Sequence, residues 1–306
     1  MKKCVVIFNR KSGKIKTNEI IETIKTILYE YRYDVEILFT KRKRHAVSLI
    51  SNLSDDIDLV ISAGGDGTFH EVIEGNLKRN KKLLLANLPL GTTNDVGAMY
   101  GLNGTLKQNL KNILNGEIKN IDVCLINKNP FIYFLGIGNY MNVSYSTPKR
   151  LKEKYGYLAY IIHALKELSG RLKQYDMEYI VNGEKHSGTY SFVFITNSNH
   201  IGGVTNIYDD VKLDDNMFEV AFFKINSKLS LIKNLGLLTI MNIEEINDCE
   251  YYKTNNLKIK FKNKNEDSWC MDGEEFIVNK KYIDIQITNE INILIPRKNI
   301  DKLFVN

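Results

Sequence analysis

The sequence predicts an N-terminal α/β domain over residues 1–123, doubly wound, Rossmann-like and three-layered, followed by a β-sandwich domain over residues 124–295. Three observations carry this. Short apolar runs before residue 90 alternate with segments of helical periodicity, the pattern of a parallel sheet whose strands are joined by helices. Near residue 120 the pattern changes to crowded strand-like segments, as in a sandwich. Polar turns follow the first, third and fourth apolar runs, which places them on one sheet edge, where ligands of such folds bind.

A chain of 306 residues is long enough for two domains with separate cores. With 43% hydrophobic and 25% charged residues its composition is that of a globular protein. Cys4, Cys124, Cys249 and Cys270 are far apart and form no metal-type pair, so they read as free thiols of a reducing cytosol. Met1-Lys2-Lys3 runs straight into a strand, without the apolar region of a signal peptide, and no run of about 18 apolar residues exists. A cytoplasmic protein is expected. The net charge of +6 suits contact with anionic nucleotides or an anionic lipid surface; no nucleic-acid partner is expected. The sequence leaves a homodimer open.

Residues 4–8 form a fully apolar run, the mark of a buried parallel strand. It stops at Asn9-Arg10-Lys11-Ser12-Gly13, a turn of cations and small donors. Apolar residues at 20, 21, 24, 27 and 28 give residues 17–32 a helical face, and residues 35–39 form the next strand. After Thr40 comes Lys41-Arg42-Lys43-Arg44, either a solvated face or a contact for nucleotide or lipid headgroups. A helix over 45–53 and a strand over 58–63 lead to Gly64-Gly65-Asp66-Gly67-Thr68, with a helix expected over 69–77. Three glycines around one aspartate bare main-chain N–H groups to an anion, and the helix behind them aims its positive dipole end at the same place. A plain strand-to-helix turn is the alternative. The strand expected at 82–88 ends in Pro89-Leu90-Gly91-Thr92-Thr93-Asn94-Asp95, where Asn94 or Asp95 can also cap the next helix.

In the second half, strands are expected at 131–138, 177–181, 190–196, 218–225, 257–261, 268–271, 282–287 and 291–295, with an Asn-Gly hairpin at Asn182-Gly183. Helical patches at 155–172 and 229–243 read as core or as the rim of a lipid cleft. The loop from Lys212 through Asp215 to Met217 is a plain polar turn or a hard-cation site. Met271-Asp272-Gly273-Glu274-Glu275 is a hairpin turn, or it presents a carboxylate as a proton acceptor.

Taken together, these segments resemble the bacterial diacylglycerol kinase family, relatives of sphingosine and ceramide kinases, along nearly the whole chain. The likeness rests on Gly64-Gly65-Asp66-Gly67-Thr68 with Glu71 following, on Gly91-Thr92-Thr93-Asn94-Asp95, and on Asp272-Gly273-Glu274. The resemblance implies ATP held between the domains by Asn9, Arg10, Lys11, Ser12, Gly13, Thr40, Gly64, Gly65, Asp66, Gly67, Thr68, Phe69, His70, Glu71, Thr92 and Asn94. It implies Asp66, Asp95 and Asp122 around the nucleotide's Mg²⁺, partly through water. A structural Mg²⁺ is implied at Lys212, Asp215 and Met217, and a base at Glu274 or Asp272. Residues 296–306 are expected to return to the first domain. The implied activity is ATP-dependent phosphorylation of a lipid hydroxyl, diacylglycerol first among candidates, by an enzyme touching the membrane peripherally. Ile161, Leu165 and residues 229–243 are candidates for that contact. Arg10 stands where the family usually has proline, and His70 where it has asparagine. Two alternatives remain at this point: an NAD kinase-like enzyme using the same glycine turn, and a catalytically inactive nucleotide or lipid sensor.

Overall fold

The structure, a computed structural model, describes residues 1–9, 17–138, 172–201, 204–205, 207–208, 210–237, 242–263, 267–278, 280–298 and 300–305. Arg10, Lys11, Ser12 and Gly13, and the expected helix up to residue 171 with Ile161 and Leu165, lie outside the described residues. The chain divides into two compact units, Met1–Asp122 with Thr288–Asn306, and Val123–Ile287.

The first unit runs β1 (Lys2–Phe8), α1 (Thr17–Glu30), β2 (Tyr33–Phe39), α2 (His45–Ser51), β3 (Leu59–Gly64), α3 (Asp66–Leu77), β4 (Leu85–Pro89), α4 (Asp95–Met99), α5 (Leu106–Leu114) and into β5 (Glu117–Ile126). The first four strands are parallel, in the order β2-β1-β3-β4. From β1 the chain steps to one side through α1, then crosses back to β3. Right-handed crossovers therefore put α1 on one face and α2 and α3 on the other. Packing agrees, with α1 against α5 and α2 against α3. Helices on both faces explain why residues of β3 are buried throughout. The reversal of direction makes the carboxyl ends of β1 and β3 a topological switch point, the usual place for a ligand.

The second unit contains β6 (Asn129–Phe131), β7 (Phe134–Gly138), β8 (Tyr175–Val181), β9 (Glu184–Tyr190), β10 (Phe192–Thr196), β11 (His200–Ile201), β12 (Val204–Thr205), β13 (Phe218–Phe223), α6 (Lys228–Leu237), β14 (Cys249–Thr254), β15 (Asn256–Phe261), β16 (Trp269–Met271), β17 (Glu274–Phe276) and the start of β18 (Tyr282–Ile295). One antiparallel sheet has the order β18-β15-β8-β9, the other β14-β13-β10-β7-β16-β17. Met177, Tyr179, Leu257, Ile259 and Ile283 of the first share a core with Leu135, Val193, Phe218, Val220 and Phe222 of the second, so the two sheets form a sandwich. The Asn182-Gly183 hairpin is present, both residues at positive φ (51° and 80°).

Several elements differ from expectation. The helix expected from residue 69 starts at Asp66, because Gly65 is its N-cap and its carbonyl accepts the N–H groups of Thr68 (2.9 Å) and Phe69 (3.2 Å). The strands expected at 282–287 and 291–295 are one strand, β18. It belongs to the second unit up to Ile287 and to the first from Thr288, where Ile293 pairs in parallel with Leu85. The helix expected over 229–243 ends at Leu237 among the described residues, with a 3₁₀ turn at Ile243–Glu245.

Candidate active site

The two glycine turns of the first unit are in backbone contact. A Cβ on Gly91 would stand 2.6 Å from the Gly65 Cα, and one on Gly65 would stand 3.3 Å from the Gly91 Cα. Leu90 N–H donates to the Gly64 carbonyl at 2.7 Å, which locks the approach. Asn94 adopts the left-handed conformation (φ 54°) and folds its amide back on Gly91, accepting its N–H at 2.8 Å and donating to its carbonyl at 3.0 Å. Asp66 bridges the turns: its carboxylate accepts the N–H groups of Asp95 (3.0 Å) and Val96 (3.2 Å), the first amides of α4. Asp95 is buried one residue beyond Asn94.

At the switch point itself, Asn9 follows β1. Its N–H donates to the Ala63 carbonyl at 3.0 Å and its side-chain amide to Thr68 Oγ1 at 3.1 Å. Thr68 packs under Gly64, where a Cβ would lie 2.5 Å from that same Oγ1. Thr40 N–H donates to the Phe8 carbonyl at 3.0 Å, so the loop after β2 joins the same edge. Asn9, Thr40, Gly64, Gly65, Asp66, Gly67, Thr68 and Asn94 thus share one edge of the first unit. Thr92 is exposed there, and His70 is half-buried in the first turns of α3. Phe69 is fully buried in the core, so any contact it makes at the turn is through its main chain. Asp122 is buried on β5. Glu71 accepts the N–H groups of Arg44 (2.7 Å) and Ala46 (3.1 Å).

In the second unit, Asp272 and Gly273 form the two-residue turn between β16 and β17, both at positive φ (48° and 81°). The buried Asp272 carboxylate accepts three main-chain N–H groups, from Ile132 (2.8 Å), Tyr133 (3.0 Å) and Phe134 (3.1 Å). It pins the strand entering β7. Glu274 is exposed at the start of β17.

With this geometry in view, comparison with known proteins gives a consistent answer. Residues 3–126 match the diacylglycerol kinase catalytic domain, a span that includes Asn9, both glycine turns and Asp122. The Bacillus subtilis (strain 168) protein named diacylglycerol kinase is 26% identical over 322 aligned positions, covering 99% of each chain. That of Staphylococcus haemolyticus (strain JCSC1435) is 29% identical over 220 positions, 71% of this chain and 66% of the relative. Residues 3–126 thus match a diacylglycerol kinase catalytic domain, and the chain is similar along its length to bacterial proteins of that name. A crystal structure of a putative diacylglycerol kinase from Bacillus anthracis str. Sterne shares the fold, with a TM-score of 0.81 at 22% identity, covering 97% of this chain and 98% of that one.

Members of a kinase family are expected to handle a metal–nucleotide complex, and the donor chemistry can be tested. Asp66 and Asp95 offer carboxylates at one junction, and Asp122 a third on β5, all hard oxygen donors of the kind Mg²⁺ takes. Among the described residues no group of three or more His, Cys, Asp or Glu side chains is gathered tightly enough to hold a metal by itself. Water or nucleotide oxygens would therefore complete the coordination shell, as is usual for Mg²⁺. The loop carrying Lys212, Asp215 and Met217 is different. Asp215 accepts the Met217 N–H at 3.0 Å and meets the Lys253 ammonium at 2.8 Å; that ammonium also donates to the Asp210 carbonyl at 3.0 Å. Its donors are oxygens, which fit a hard cation, but a divalent ion there has to share Asp215 with Lys253. Beneath them Glu219 is almost fully buried, and burial pushes its carboxyl up to about 8 against the opposing pull of Lys253. The sequence did not single out Lys253 or Glu219. Their strand pairing, Glu219 opposite Lys253, brings together residues far apart in the chain.

Proposed function

We propose that the chain transfers the γ-phosphoryl group of ATP to the free hydroxyl of diacylglycerol, giving phosphatidic acid and ADP. The observation that carries this is the backbone contact between the Gly64–Gly65 and Gly91 turns at the switch point, bridged by Asp66. Two turns this close, one opening a helix, turn main-chain N–H groups toward a phosphate where no Cβ fits between them. Phosphoryl transfer requires chiefly positioning and charge neutralisation. The amides of Asp66 and Gly67 precede the first intrahelical bonds of α3 and would supply donors to the phosphates. Mg²⁺, when bound with the nucleotide, neutralises phosphate charge; Asp66, Asp95 and Asp122 would hold it.

The lipid oxygen attacks phosphorus as the bond from the γ-phosphorus to the bridging oxygen breaks, and the hydroxyl proton passes to a carboxylate. Glu274 is assigned that role. Asp272 already accepts three main-chain N–H groups as a bracket for the preceding strand, whereas Glu274 is exposed on the same hairpin. A substrate dissolved in a bilayer requires peripheral contact with the cytoplasmic membrane surface. Among the residues expected at such a contact, Leu229 at the start of α6 is 78% exposed.

The test is a screen with γ-labelled ATP and Mg²⁺ against diacylglycerol, a sphingoid base, other lipid alcohols and NAD, each in detergent micelles. Label in diacylglycerol above all others supports the assignment. Preferred labelling of another lipid alcohol corrects the substrate, labelling of NAD replaces the activity, and ATP binding without any product means an inactive sensor.

A further inference from the structure

We propose that Glu71 is a positioning residue that fixes the basic loop after β2, so that Lys41, Arg42 and Lys43 meet the polyphosphate of the nucleotide. This rests on the ATP-dependent reading above. Glu71 lies one turn into α3, whose first residues form the glycine turn. Its two carboxylate oxygens are used on the neighbouring loop: Oε1 accepts the Arg44 N–H at 2.7 Å and Oε2 the Ala46 N–H at 3.1 Å. These are the opening amides of α2, which has no cap from its own N-cap side chain. Arg44 is held at φ 63°, a left-handed conformation that a residue with a Cβ adopts only when surrounding contacts impose it. Glu71 supplies those contacts from 25 to 27 residues away.

Further contacts tie the loop and α2 to the elements around the phosphate turn. The Arg44 guanidinium pairs with Glu74, which also accepts from Lys78 at 2.7 Å. Gly75 lets α2 and α3 close up, since a Cβ there would sit 2.2 Å from Ile50 Cγ2 and 2.6 Å from the Val47 carbonyl. At the other end of the loop, Thr40 N–H bonds the Phe8 carbonyl, beside Asn9, and Lys41 N–H bonds His45 Nδ1 at 3.2 Å. Lys41, Arg42 and Lys43 are exposed on this frame. A patch that only attracts a lipid surface needs no fixed register, because such attraction is diffuse and not stereospecific. A loop bracketed on one side to α3, which opens at the glycine turn, and on the other to β1, which leads into Asn9, is suited to a ligand with fixed geometry, a nucleoside triphosphate.

The experiment compares Glu71→Ala, Glu71→Gln and Lys41→Ala/Lys43→Ala with the wild type, and then combines the alanine sets. Loss of two charge-assisted hydrogen bonds should raise KM for ATP about tenfold in Glu71→Ala, with kcat held within about threefold. Glu71→Gln, which keeps one acceptor, should recover part of the loss. Because both sets act through the loop, the combined variant should be hardly worse than the poorer single one. A kcat loss of about 100-fold overturns the proposal, since Glu71 would then touch the reacting groups. So do additive effects. A change confined to the KM for diacylglycerol in anionic vesicles also overturns it, and assigns the loop to the membrane. Hydrogen exchange at the Arg44 and Ala46 amides, which needs no activity, should quicken in Glu71→Ala; unchanged exchange refutes the bracket. If the wild type turns over no ATP, the kinase reading fails while the exchange result still judges the bracket.

Discussion

Replacing Gly91 by alanine puts the smallest possible obstacle between the two glycine turns. Its Cβ would lie 2.6 Å from the Gly65 Cα and 2.6 Å from Asn94 Oδ1, where carbon atoms in contact normally stand about 3.5–4.0 Å apart. The Gly65 neighbour is backbone and cannot rotate away, so the turns must separate by roughly 1 Å. Overpacking of this kind costs about 1–3 kcal/mol, within the 5–15 kcal/mol that typically holds a domain together, so the variant stays folded. Misplacement of about 1 Å near a reacting centre costs about 10²-fold in rate. Gly91→Ala should therefore lower kcat/KM for ATP by roughly that factor, with a modest fall in the urea midpoint. The matched control is Gly183→Ala, where φ is +80° and nothing lies within 4 Å of the added Cβ. It carries backbone strain of about 1 kcal/mol or more, in the other unit, and should leave kcat/KM unchanged. A Gly91→Ala enzyme within threefold of the wild type would refute the reasoning that the turn contact forms the nucleotide site.

Other consequences follow from particular side chains. Glu274→Gln should lower kcat by about 10²–10⁴-fold with little change in thermal midpoint, the range of a lost general base. Asp272→Ala should instead lower stability by about 2–4 kcal/mol in urea titrations, because the amides of Ile132, Tyr133 and Phe134 lose a buried acceptor. Glu74 is a pH-linked contact. Burial alone would raise its carboxyl, but Lys78 and Arg44 outweigh it and hold the group below the usual carboxylate range. Its contribution is present above the unfolded value and lost as pH falls through the folded one, so Glu74→Gln should flatten the decline of the urea midpoint on the acid side of about pH 4.5. Arg79, buried and donating to the Ile50, Leu53 and Lys81 carbonyls and to Asp55, should cost about 2–3 kcal/mol when changed to alanine, with KM for ATP unaltered.

The alternation of apolar runs and helical faces was legible because a parallel sheet buried on both sides leaves strands such as β3 without polar residues. The beginning of α3 was not, because Gly65 and Gly67 are poor helix formers, and the turn they form is packed against Gly91, 26 residues on. β14 escaped notice because Cys249–Thr254 is mostly half-buried and mixes Glu250 and Lys253 with two tyrosines, giving no clean alternation. β18 read as two strands because its exposed middle, Asn289-Glu290, marks the passage from one unit to the other. The site shows the same division. Residue types at the turns signalled a phosphate, since glycine and aspartate act through the local backbone. The commitments of Glu71 and Asp272 to main-chain amides were invisible, because an amide has no signature in a sequence. For Asp272 those amides lie 138 to 140 residues away.

The central claim is that Asp66, bridging the glycine turns, organises ATP for transfer to a lipid hydroxyl. The most direct measurement follows γ-labelled ATP into diacylglycerol in mixed micelles, with Mg²⁺ present or chelated, for the wild type and Asp66→Asn. The asparagine keeps an acceptor for one of the two α4 amides but removes the charge, so the fold should persist by circular dichroism. The account predicts labelled phosphatidic acid from the wild type, dependent on Mg²⁺, and a loss of at least about 10²-fold in the variant. Equal labelling by both proteins, or none by the folded wild type, would contradict it.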